Sequence, residues 1–228
     1  MFILPVIFHA THYRKFDVER FLLRGRQYAL IGIVCVMLAM YLGLGLALNS
    51  KLPVEIAYSL PSLPFIFVLF EVFKKPSTYP MKSSSTEHYD KVGGAIRWCQ
   101  ILGAASSIFF GFLLHIAVNP PSYFRLFDNV ILLAALYAVT IATAMFVMPI
   151  IFHANHYRKF DVERFIVRVK KPVLIGIVCV VLAMYLGLGL AFNSKVPTLI
   201  AYSLPSLPFI FVLFEVYRHG RISKTTPA

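Results

Sequence analysis

"IAYSLPSLPFIFVLFEV", residues 56–72, returns letter for letter at residues 200–216. The stretch is almost wholly apolar and about as long as a helix must be to cross a hydrocarbon core of roughly 30 Å. Its acidic residue, Glu71 or Glu215, stands at the end of the run. A span repeated intact makes self-similarity the first property to measure. A shift of 144 positions aligns residues 1–84 with 145–228, and about two thirds of the aligned pairs are identical. The differences gather in "LLRGRQYA" against "IVRVKKPV" and after the glutamates.

Composition agrees with a membrane setting. Hydrophobic residues make up 59% of the 228, and mean hydropathy is +0.75, where soluble domains hold roughly 45–50% apolar residues. Outward from the repeated stretch, further apolar windows suggest four kinds of span. Span a covers residues 96–118 and span b 130–152. Span c covers 28–48 and again 173–192, and span d covers 56–73 and again 200–217. Strict two-residue alternation is missing, which argues against a membrane barrel.

The order along the chain is half of b, then c, d, a, b, c, d. Residues 1–8 match only the second half of span b, and eight helical residues reach about 12 Å. The expected fold is therefore an all-α, integral-membrane, polytopic helical bundle, built from a parallel tandem repeat of a four-span unit whose first copy is truncated. Residues 1–73 form that first copy, 74–92 a cytoplasmic linker, and 93–228 the second copy. An even number of spans per period puts both copies the same way round.

Charge sets the expected orientation. The net charge is +12, and 19 of the 22 Lys and Arg fall in residues 9–27, 72–97, 153–171 and 217–228, leaving Lys51, Arg125 and Lys195 elsewhere. The positive-inside rule makes the first group, and with it the carboxyl terminus, cytoplasmic. Which membrane the chain occupies is not written in it. The basic residues cluster beside apolar runs, so anionic lipid headgroups are the expected counter-charge and nucleic acid is not a partner. Twice the chain reads "FHATHYRKFDVERF" (8–21) and "FHANHYRKFDVERF" (152–165). Arg14, Lys15, Arg20, Arg158, Lys159 and Arg164 are the expected contacts to headgroups or a partner. Phe21 and Phe165 are expected beside them at headgroup depth.

Helices in lipid associate through close packing of small side chains. Every fourth residue is small in Ala39, Gly43, Ala47 and its copy Ala183, Gly187, Ala191, as well as in Gly103, Ser107, Gly111 and in Ala134, Ala138, Ala142. These twelve are the expected packing positions. Pro61, Pro64, Pro205 and Pro208 interrupt both d spans and predict kinks, because proline lacks the N–H that the helix ladder requires.

Chemistry is sparse. No ionisable residue falls at mid-span, which weakens proton-coupled transport. His9 and His12, like His153 and His156, are spaced i,i+3, but no third ligand completes a metal site. Cys35, Cys99 and Cys179 are odd in number and lie in or beside apolar runs, so no disulfide framework is expected. Phosphate-cradling glycine loops, nucleophile elbows and catalytic carboxylate pairs are absent from the sequence. No catalysis, metal or cofactor is expected. The chain reads as a membrane protein acting through helix packing and lipid or partner contact, with self-association or another membrane protein as the partner. Two alternatives stay open. One is a facilitator of a small uncharged solute, since b, c, d, a, b, c, d is a three-plus-one-plus-three order like that of SWEET-type sugar facilitators, whose motifs the sequence does not carry. The other is a seven-span receptor.

Overall fold

The computed structural model describes residues 18–49, 51–73, 86–156, 162–193, 195–207, 209–211 and 213–214. Within them the chain is all-helical. The helices are α1 (Val18–Asn49), α2 (Val54–Phe73), α3 (Thr86–Val118), α4 (Leu126–His156), α5 (Val162–Asn193) and α6 (Thr198–Ser203). Five helical stretches are long and apolar enough to cross a membrane: Ala29–Asn49, Val54–Phe73, Gly93–Val118, Leu126–Ala154 and Val167–Asn193. They coincide with the first c and d, then a, b and the second c. The second d is represented by α6 and further helical residues up to 214. The stub at residues 1–8 lies outside the described residues. Helix α3 begins at Thr86, inside the stretch read as a linker, so the connection between the expected copies is partly helical.

Helix α4 is the centre of the bundle. It packs most extensively on α5 and α3, and it also meets α1 and α2. Of its apolar span 67% is buried against the other helices, compared with 22–33% for the other four. Its sequence explains the position: Ala135, Ala138, Ala142 and Ala144 let neighbouring backbones approach, while Leu132, Leu136 and Val139 fill the space between them, all buried. Phe146 is wholly buried and fits between two glycines. A methyl at Gly103 of α3 would stand 3.7 Å from its Cβ, and one at Gly176 of α5 would come within 2.8 Å of its ring.

Helix α3 separates the two c helices. Phe110 and Leu114 reach Gly43 of α1, where a methyl would approach Leu114 Cδ2 to 2.8 Å. One residue back on the same helix, Phe109 and Leu113 face Gly187 of α5, where a methyl would stand 3.5 and 3.9 Å from them. Neighbouring positions on one helix thus serve two different partners.

The hairpins α1–α2 and α5–α6 are built alike. Tyr41 lies 6.2 Å from the Tyr58 ring and 5.3 Å from Phe65, and Tyr185 lies 6.3 Å from Tyr202 and 5.1 Å from Phe209. In each, a side chain on the glycine facing the tyrosine, Gly45 or Gly189, would run into the ring. Both turns close with the same backbone bonds, Lys51 N to Leu48 O at 2.9 Å and Lys195 N to Phe192 O at 2.8 Å.

Phe165 departs from its expected place. Instead of meeting headgroups it is 1% exposed, packed with Val169 and tilted against Phe152 at 5.8 Å, with Arg168 over the Phe152 ring. Near the start of α5, the ring is held by packing between α4 and α5.

Candidate functional site

The loop before α4 joins both hairpins at one end of the bundle. Arg125 precedes the first helical residue, and Asp128, three residues on, reaches back so that the Arg125 backbone N–H donates to Asp128 Oδ2 at 2.9 Å. This is half of a capping box, and an acidic group there also suits the positive end of the helix dipole. The second oxygen of Asp128 has a distant partner: Asn193 Nδ2, at the end of α5, donates to Oδ1 at 2.9 Å, and Thr198 Oγ1 donates to Asn193 Oδ1 at 2.9 Å. The next residue serves the other hairpin, with Lys51 Nζ donating to Asn129 Oδ1. Loss of hydration in this contact pulls the Lys51 ammonium below its usual pKa. Two consecutive side chains, Asp128 and Asn129, therefore each hold one elbow.

Around Asp128 lies an open cavity of about 450 Å³. Tyr123, Phe124, Phe127 and Arg125 line one side, and Leu190, Val196 and Thr198 line the other. Along α3 and α4 the buried serine and threonine hydroxyls are satisfied within their own helices: Ser106 bonds Leu102 O at 2.7 Å, Thr140 bonds Leu136 O at 2.9 Å and Thr143 bonds Val139 O at 3.0 Å. Through the middle of the bundle, the described interior is apolar.

The proline sites differ between hairpins. Pro61 and Pro64 are buried inside α2, which continues through them. Pro64 cannot donate to the Leu60 carbonyl, and Tyr137 Oη of α4 donates to that oxygen instead, at 3.3 Å. In the second hairpin α6 ends at Ser203, with Leu204 and buried Pro205 in a turn, and Pro208 lies outside the described residues.

The small-residue positions divide. Ala47, Gly103, Ala138, Ala142 and Ala183 are buried, and Gly43, Ser107 and Gly187 are half-buried. Ala39, Gly111, Ala134 and Ala191 are exposed, and a methyl at Gly111 would meet open space. The four-residue rhythm marks a stripe longer than the contact, because the helices diverge along their length. Of the basic residues, Arg14, Lys15, Arg158 and Lys159 lie outside the described residues, as do His9 and His12, whereas Arg20 and Arg164 lie on the first turns of α1 and α5. Among the described residues no three His, Cys, Asp or Glu come together as a metal site.

Sequence reasoning missed Asp128, Asn129, Asn193 and Tyr137. The available signal was small: an Asp-Asn pair heading an apolar span, and a tyrosine within one. No family model, curated protein or solved structure matches the chain. Its character rests on its own geometry, and five apolar helices of spanning length make it a multi-pass integral membrane protein.

Proposed function

We propose that the chain is a non-catalytic, multi-pass membrane protein that works through helix packing and through contact with lipid or a membrane partner. The carrying observation is the middle of the bundle, where the serine and threonine hydroxyls buried along α3 and α4 bond to their own helix backbone and so offer no free polar group to a solute among the described residues. The outward surface supports the same reading. Leu38, Leu42 and Leu46 of α1, Leu63 and Phe70 of α2, and Ile108 and Phe112 of α3 are all exposed, a pattern suited to lipid tails. Exposed Trp98, near the start of the apolar stretch of α3, and exposed Tyr123, in the loop after that helix, suit the two interfaces.

In this reading the hairpins belong to two parallel copies of one four-span unit. Their matching ring distances and turn bonds support it. The end with Lys51, Arg125 and Lys195 faces away from the cytoplasm, and the basic segments meet anionic headgroups on the cytoplasmic side. Purified protein in liposomes tests the non-transport reading. Uptake of small neutral solutes, sugars among them, is expected to match protein-free vesicles, and saturable uptake that follows protein content would replace this reading with a facilitator.

A further inference from the structure

The cavity at the head of α4 holds two opposite charges that do not neutralise each other. Asp128 is 5% exposed and, among the described residues, accepts its hydrogen bonds from the neutral Asn193 amide and the Arg125 backbone. Neither of these donors carries a charge, and the Arg125 contact uses its backbone N–H rather than its guanidinium. A buried carboxylate without a counter-charge is costly, and each of its oxygens keeps accepting capacity beyond one bond. Arg125 stands exposed at the rim of the same cavity. A ligand satisfying both groups carries a cation inward and an anion outward.

Two further features narrow the ligand. Tyr123, Phe124 and Phe127 line the cavity, and aromatic faces attract ammonium groups. The cavity also sits where the α4 span begins and the α5 span ends, which is headgroup depth for a membrane-crossing pair. A volume of about 450 Å³ falls within the roughly 300–1,000 Å³ of small-molecule sites. We propose that this cavity holds the headgroup of a zwitterionic phospholipid, with its ammonium against Asp128 and its phosphate against Arg125. The assignment rests on the membrane reading above and gives one lipid contact a defined chemistry.

The test is lipid retention by the purified full-length chain, followed by native mass spectrometry with phosphatidylethanolamine, phosphatidylcholine and phosphatidylglycerol supplied in equal amounts. The two zwitterionic lipids are expected to remain bound preferentially. Because Asp128 also ties down Asn193, its replacement can disturb folding, so the diagnostic variants are Arg125→Gln, at an exposed side chain, and Val196→Trp, which fills the cavity. Each is expected to lower retention about tenfold, the effect of losing one charge-assisted contact, while Arg97→Gln at the opposite end changes nothing. Equal retention of phosphatidylglycerol, or unchanged retention in both variants, overturns the proposal. Soluble glycerophosphoethanolamine binding where the lipids do not overturns the lipid source in favour of a free zwitterion. Alkaline extraction separates this from the broader reading: protein that stays in the membrane without headgroup preference sinks only this inference, and protein released to the supernatant sinks the membrane reading itself.

Discussion

Residues 56–72 and 200–216 are spelled identically, but the first lies within one unbroken helix, whereas in the second α6 ends at Ser203 and Leu204 keeps a helical N–H bond to Ile200 O at 3.1 Å before Pro205. Both copies contain the same prolines and therefore free the same carbonyls. What differs is the neighbour. Helix α2 rests on α4, whose Tyr137 supplies a donor to Leu60 O, whereas α6 packs on α5 and no such donor meets Leu204 O among the described residues. The second hairpin also buries the Tyr202 hydroxyl without a hydrogen-bond partner among those residues. A neighbouring helix thus completes the backbone of one proline-containing span, and identical sequence does not guarantee identical surroundings.

The largest effect is expected on α4, against which both hairpins pack, where it meets α3 and the second hairpin. Phe146→Ala empties the space between Gly103 and Gly176 and is expected to cost about 3–5 kcal/mol, as large aromatic truncations in cores do; reversible unfolding in mixed micelles reads it. The hairpins themselves come next. Gly45→Ala and Gly189→Ala each drive a methyl into a tyrosine ring, and each should cost about 1–3 kcal/mol by overpacking. Near-equal costs in the same unfolding assay would show that the hairpins are internally equivalent, and a cost at only one glycine would break that equivalence.

A smaller change isolates the neighbour. Tyr137→Phe removes the donor to Leu60 and should destabilise the bundle by about 0.6 kcal/mol, a typical value for a hydrogen bond between membrane helices. In a Pro64→Ala background the helix supplies its own N–H, and the cost of Tyr137→Phe should fall toward zero; an unchanged cost would mean that Tyr137 acts by packing alone. The smallest effect is expected from Pro208→Ala, which restores a donor to Leu204 O. Slower amide hydrogen exchange around residues 204–208, with little change in global stability, is the expected outcome.

Much of the fold could be read from the chain, because spans are recorded locally in apolar windows. The limits of α2 and of the first apolar segment of α1 fall within a few residues of the expected d and c. The clamps could not be read in the same way. Asn193 and Asp128 are 65 positions apart, Lys51 and Asn129 are 78 apart and Tyr137 and Leu60 are 77 apart, and no local periodicity records such pairings. Ala39 and Ala134 show the limit from the other side: their spacing is right for a packing stripe, but the helix facing that position decides whether the stripe is used.

The position of α4 also imposes an order in time. The α1–α2 hairpin can close as soon as residue 73 has emerged, since its turn and its ring contacts lie within its own sequence. Its attachments to Asn129 and Tyr137 must wait until α4 has entered the bilayer. During synthesis the early hairpin therefore persists as a provisional pair whose proline-freed Leu60 carbonyl is unmet. Arrival of the fourth helix both completes that pair and presents the surface on which α5 docks, so a chain halted before residue 126 would leave the insertion machinery with an unfinished client.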